Sequence, residues 1–175
     1  MAFELTKGLL GRLRSDIANG RDTDAMAVMG QLHPADIGAL LDRLNLDEAR
    51  YLIHLLEPEI AADAIIELDE DRRERLLGEL TSKEIAQELI GHIDSDDAAD
   101  LMAMLPADKR REVISHREDK GQKEDIEELL QYAEGTAGAL MQKELVTVHA
   151  DQTLARAIVE MRRQAHEVEN LYTIY

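Results

Sequence analysis

Cysteine is absent from this 175-residue chain, which excludes disulfides, thiolate chemistry and cysteine-type zinc sites and suits a reducing compartment. Tryptophan is absent as well, Phe3 is the one phenylalanine, and four tyrosines complete the aromatics. A core must therefore come from Leu, Ile, Ala and Met, a mixture that favours helices. Positive charge is scarce: 20 Lys and Arg stand against 37 Asp and Glu, for a net charge of −17 and an isoelectric point near 4.6. Such a chain is repelled by a phosphate backbone or an anionic bilayer, which argues against nucleic acid as a partner. Long apolar runs are missing too. No stretch of about 18 uncharged apolar residues occurs, and Met1 to Leu13 holds no apolar core of signal-peptide length, so the sequence reads as a soluble, cytosolic chain.

What the chain does contain is an internal repeat. Pro34, Pro58, Ser82 and Pro106 are spaced by 24 residues and open the segments PADIGALLDRL, PEIAADAIIEL, SKEIAQELIGHI and PADKRREVISHR. Proline suits a first helical turn, where its missing N–H has no partner to lose, and the acids behind it face the positive end of the helix dipole. A second start lies midway, at Asp47, Asp71 and Ser95. Apolar residues keep the same period: Ile37, Ala61 and Ile85 form one column, Leu41, Ile65, Leu89 and Val113 another. Ile53, Leu77 and Leu101, each followed by Leu56, Leu80 or Met104, form a third. Spacings of 3 and 4 predict one buried face per helix. Helices of about ten residues cannot stand alone, so they must stack, and a fixed period of this length indicates an α-helical solenoid over Leu32 to Arg117.

The flanks read differently. Phe3 to Asn19 is expected to be a capping helix ended by Gly20, with another at Asp24 to Leu32. EDKGQKED, from Glu118 to Asp125, reads as a loop or hinge before a helix at Asp125 to Ala133. Beyond Gly135 a short β-branched stretch (Leu145 to Val148), a helix (Leu154 to Gln164) and a second strand-like stretch (Leu171 to Tyr175) make a β-α-β pattern. The expected fold is mostly α: a superhelical α-solenoid of short helices followed by a partial α/β module. Its parts are capping helices at 1–31, the solenoid at 32–133 and the β-α-β piece at 134–175.

Catalytic signals are few. The six histidines show no HExxH spacing, no GxSxG serine is present, and Gly135 to Gly138 lack the GxxxxGK[ST] context of a phosphate cradle; no enzyme activity is expected. The acids carry the chemistry instead. Between Glu57 and Leu105, 15 Asp and Glu meet four bases. Most read as solvated surface, and Asp94, Asp96 and Asp97 suit a helix start. Asp100 does not, because the 24-residue period sets it where Leu52 and Leu76 stand in sister units. A carboxylate at a core position needs a partner or a gap at the module edge. Asp96 and Asp100, four apart, share one helical face, where like charges repel unless a cation neutralises them. Magnesium keeps several waters and uses one or two carboxylates, so a sparse Asp pair suffices.

LHPADI (Leu32 to Ile37), DSDDAADLMAMLP (Asp94 to Pro106) and YAEGTAGALM followed by VTV (Tyr132 to Met141, Val146 to Val148) resemble the cytoplasmic part of the MgtE family of magnesium channels and transporters. The resemblance runs from about residue 25 to the end. It implies that 32–133 is an MgtE N-type domain and that 134–175 opens the first CBS domain of a parent that continues into further CBS and transmembrane domains. It further implies a homodimeric parent, a place on the cytoplasmic side of the membrane, and Mg2+ as the ligand. The positions that match metal-sensing acids are Asp63 in PEIAADA and Asp96 and Asp100 in DSDDAAD, with Asp97 as a lesser substitute. The implied role is magnesium-dependent gating of the pore. The rival readings are a protein-interaction scaffold, since α-solenoids offer grooves to peptides, and an adenine-nucleotide-responsive CBS regulator.

Overall fold

The computed structural model describes residues 5–133 and 135–165. Eleven α-helices run in order among them: α1 (Lys7–Ala18), α2 (Asp22–Met29), α3 (Pro34–Leu41), α4 (Leu46–Leu55), α5 (Pro58–Ile66), α6 (Glu70–Glu79), α7 (Ser82–Glu84), α8 (Ser95–Ala103), α9 (Ala107–His116), α10 (Lys120–Leu129) and α11 (Leu154–Gln164). Local chemistry sets the starts. Pro34 and Pro58 occupy the first turns of α3 and α5, Asn45 and Glu48 close a capping box on α4, and Thr81 with Glu84 closes another on α7; each box satisfies two N–H groups that a helix start leaves free. Gly20, at φ 62°, follows the C-cap of α1, a conformation that a side chain would disfavour.

The chain divides into two compact units, one of residues 1–93 with 101–118, the other of residues 94–100 with 119–175. In the first, the repeat columns form the core: Ile37, Leu41, Ile65, Ile85, Leu89 and Val113 are wholly buried, and Ala61 is nearly so. A double set of cations ties helix ends together. Arg72, on α6, donates to the carbonyls of Leu41 and Leu44 at the end of α3 and just past it, while its neighbour Arg73 reaches Ile65, Ile66 and Leu68 at the end of α5. Three helices later, on α9, Lys109 donates to Leu77, Gly78 and Leu80 at the end of α6, and Arg110 to Met102, Ala103 and Leu105 at the end of α8. Each cation satisfies carbonyls that a helix C-terminus leaves without partners.

The third repeat breaks the pattern. After one turn of α7 the backbone widens into a π turn at Ile85–Leu89 and tightens into a 3₁₀ turn at Ile90–His92. The cause is Arg117. Its Nη1 donates to the Ala86 carbonyl at 2.9 Å, so the Ile90 N–H bonds Ile85 instead, and a side chain inserted into the ladder opens it by one residue. Gly91 makes the room, for a Cβ there would lie 2.6 Å from Nη1 of Arg117.

One expectation of the sequence needs correction. EDKGQKED is not a loop: Asp119 caps α10 by accepting from Gly121 and Gln122, at 2.8 and 3.2 Å, and the helix begins at Lys120. One well-placed cap outweighs the polar run and its glycine. The stretch from Leu145 to Val148 forms no strand ladder among the described residues. Instead the Gln164 side-chain amide takes the place of a neighbouring strand for Thr147, accepting from its N–H at 2.9 Å and donating to its carbonyl at 3.0 Å. The second expected strand, Leu171 to Tyr175, lies outside the described residues.

Candidate functional site

The acids singled out by the sequence fall on two helices. Asp63 is exposed on α5, in the first unit. Asp96 and Asp97 lie in the first turn of α8, partly exposed, and Asp100 is exposed further along the same helix; all three belong to the second unit. Among the described residues no group of three or more His, Cys, Asp or Glu side chains is arranged to hold a metal ion by itself.

Asp100 is not a carboxylate in a core position. The π turn adds one residue to the third repeat, so α8 is read one place later than the 24-residue period suggests. Ala98, Leu101, Met102 and Leu105 are buried where Ala49, Leu52, Ile53 and Leu56 are buried in the first repeat. Asp94 accordingly precedes α8 as Asn45 precedes α4 and Asp69 precedes α6. Asp100 then corresponds to Tyr51 and Arg75, both outside the core, and is itself exposed.

Asp96 behaves differently. Its Oδ1 is buried and has no hydrogen-bond partner. A carboxylate oxygen held this way is destabilising unless something with positive charge or a donated proton meets it. The preceding residue, Ser95, is wholly buried and is gripped by a segment 49 positions further on. Glu144 accepts the Ser95 N–H on Oε1 at 3.0 Å and its hydroxyl on Oε2 at 2.8 Å, while Ser95 Oγ accepts the Lys143 N–H at 3.1 Å. Gln142 donates to Asp94, and Lys143 Nζ pairs with Glu128 at 2.7 Å. That pair holds the Glu128 carboxyl below its usual pKa and the Lys143 ammonium above its own. No spacing rule joins residue 95 to residue 144, so the sequence alone could not supply this contact.

Tyr132 and Gly138 of YAEGTAGALM have a packing role. A Cβ on Gly138 would run into the ring of Tyr132, so the glycine lets that ring lie against the backbone.

The fold is thus a two-helix repeat with an acid-bearing helix and a tyrosine-glycine turn. The sequence profile described as the MgtE intracellular N domain matches residues 32–135, and the chain belongs to that family. The magnesium transporter MgtE of Thermus thermophilus is 31% identical over 159 residues, 88% of this chain and 35% of that protein. The magnesium transporter MgtE of Enterococcus faecalis is 41% identical over 51 residues, 29% of this chain and 11% of its own length. The chain thus spans about a third or less of these relatives. Among solved structures it resembles the soluble part of a magnesium transporter (TM-score 0.78, 26% identity, 95% of this chain and 65% of that one). It also resembles the cytosolic domain of the Mg2+ channel MgtE in complex with ATP (TM-score 0.83, 26% identity, 95% and 67%). No helix among the described residues is long and apolar enough to cross a membrane.

Proposed function

We propose that this chain is a magnesium-responsive regulatory region of an MgtE-type transporter, acting without catalysis on the cytoplasmic side of the membrane. In this reading residues 1–31 cap a solenoid at 32–133, and 134–175 open a CBS domain that continues, in a homodimeric parent, toward a membrane pore. Asp63, Asp96 and Asp100 hold Mg2+ through water and one or two carboxylates each, with Asp97 as a substitute. The observation that carries the reading is the buried, partnerless Oδ1 of Asp96 one helical turn from the exposed Asp100. Two like charges at i and i+4 repel by a few tenths of a kcal/mol, and a divalent ion turns that repulsion into attraction. High magnesium then favours the state in which the ion bridges these acids to others, and low magnesium releases it.

Thermal melts at constant ionic strength, with and without millimolar MgCl2, test this. Binding to the native state stabilises by RT ln(1 + [L]/Kd), about 0.4 kcal/mol when the concentration equals Kd, so the rise is modest. Asp96→Asn with Asp100→Asn should abolish it and leave the metal-free chain as stable or more so. The same rise in wild type and double variant would overturn the assignment, and no rise in wild type would favour the scaffold reading. A second reading, adenine-nucleotide response, is favoured by the ATP-bound structural relative. ATP titration without magnesium addresses it.

A further inference from the structure

We propose that Glu144 is the positioning residue of the acid-bearing helix: by clamping Ser95 it makes residues 94–97 and 142–144 one mechanical element, so that an event at the α8 acids is felt in the 142–144 segment. The clamp has the form of a helix cap supplied from a distant part of the chain. α4 and α7 carry reciprocal boxes within their own first turns; on α8 an acceptor comes from 49 positions further along the chain. Its first N–H goes to the Glu144 carboxylate, and a charged acceptor at this end also meets the positive pole of the helix dipole. The arrangement is two-sided. Ser95 gives its N–H and hydroxyl to Glu144 and takes the Lys143 N–H on the same oxygen, so neither side can leave without orphaning polar atoms around a wholly buried serine. The Gln142 bond to Asp94 and the Lys143 pair with Glu128 flank it. All the participants belong to the second compact unit.

The functional half of this proposal rests on the reading that Asp96 and Asp100 hold Mg2+; the mechanical half does not, and hydrogen exchange of the full chain separates them. In the metal-free wild type, the Ser95 and Lys143 amides should exchange with the same protection and the same dependence on urea, because one opening event exposes both. Glu144→Ala should speed both by about tenfold or more, as expected for loss of charge-assisted bonds, while the Leu76 and Leu77 amides of α6 stay unchanged. Glu144→Gln, which keeps one acceptor and one donor for Ser95, should restore most of the protection. Unequal protection of the two amides in wild type, or a rise at Ser95 alone in Glu144→Ala, would overturn the clamp. With MgCl2 added, wild type should gain protection at Lys143, which carries no ligand, and Glu144→Ala should gain it on α8 only. A wild type that gains protection on α8 but not at Lys143 refutes transmission through the clamp. One that gains none anywhere refutes the magnesium reading and leaves the clamp to be judged by the metal-free amides.

Discussion

At the scale of single residues, Glu84 and His54 set the pH response of the first unit. Glu84 accepts from the Thr81 N–H at 2.6 Å and faces His54 Nε2 at 2.9 Å, with Arg50 at 3.6 Å. The Thr81 bond first, and then the histidine, pull its pKa from 4.5 to about 2. Burial disfavours the charged form of His54, but its 2.7 Å bond to the Arg50 carbonyl and its contact with Glu84 outweigh that, and its pKa is raised above 6.5. Stability from Glu84 is therefore present above pH 4.5 and lost as pH falls toward about 2. Stability from His54 is present below pH 6.5 and lost as pH climbs through its raised value. Urea midpoints measured across pH should peak between these limits, Glu84→Gln should flatten the acid limb, and His54→Gln the alkaline one. Glu84→Gln should also lower stability by about 1–2 kcal/mol at neutral pH, since it weakens a capping box as well as the histidine contact. A second residue-scale test concerns Gly138. Gly138→Ala must push the Tyr132 ring aside; because that ring is 43% exposed and has somewhere to go, the loss should be small, about 1 kcal/mol. Tyr132→Ala in the same chain should remove that loss, which a double-mutant cycle would read.

Between elements, the paired cations of α6 and α9 do the joining. Arg73→Ala leaves the carbonyls at the end of α5 without their donor and should lower stability by about 2–3 kcal/mol, whereas Arg75→Ala, on the exposed face of the same helix, should change it by less than about 0.5 kcal/mol. Urea denaturation of the two variants checks the contrast. Arg110 makes the equivalent bonds from α9, and its neighbour Lys109 those equivalent to Arg72; burial keeps the Lys109 pKa below the ordinary lysine value. Much of this architecture was legible in advance. Pro34 and Pro58 marked starts because proline tolerates few other helical positions, and the columns through Ile37 and Leu41 marked the core because burial demands apolar residues at a fixed phase. Three things were not legible. Asp119 could override a polar run only by making a particular pair of cap bonds. Arg117 reaches Ala86 across 31 positions, and nothing near Ile85 in the sequence announces a widened turn. The Ser95–Glu144 clamp is a contact of long sequence separation between residue types that are ordinary at a surface. The candidate acids stand out in a dense acidic stretch and match a known family, but a strict 24-residue count gives Asp100 the wrong phase, since it cannot see an extra residue absorbed inside a helix.

For the whole molecule, a net charge of −17 is self-repulsive, and screening should relieve it. Raising KCl from about 0.05 M to about 0.5 M should increase the melting temperature by a few degrees, with diminishing return as the Debye length shrinks below the spacing of surface charges. A melting temperature that falls over this range would show that the ion pairs outweigh the repulsion. The same charge predicts no binding to duplex DNA at about 0.15 M salt in a gel-shift assay. The widened turn at Ile85–Leu89 has a consequence for how such a molecule came about. If the helical pairs arose by duplication, then a single inserted codon in the third copy, accommodated by Gly91 and Arg117, was taken up as one extra residue in that turn, and everything downstream kept its place in the repeat while its number advanced by one. Asp100 therefore stands at the place that Tyr51 and Arg75 hold in the earlier copies. Deleting one residue between Ala86 and Ile90 should close the widened turn and restore a strict 24-residue spacing, with Asp100 still at the phase of Tyr51 and Arg75. The ancestral register is then open to reconstruction, and a shortened chain that folds with the same residues of α8 buried would mark the insertion as one that the widened turn absorbed.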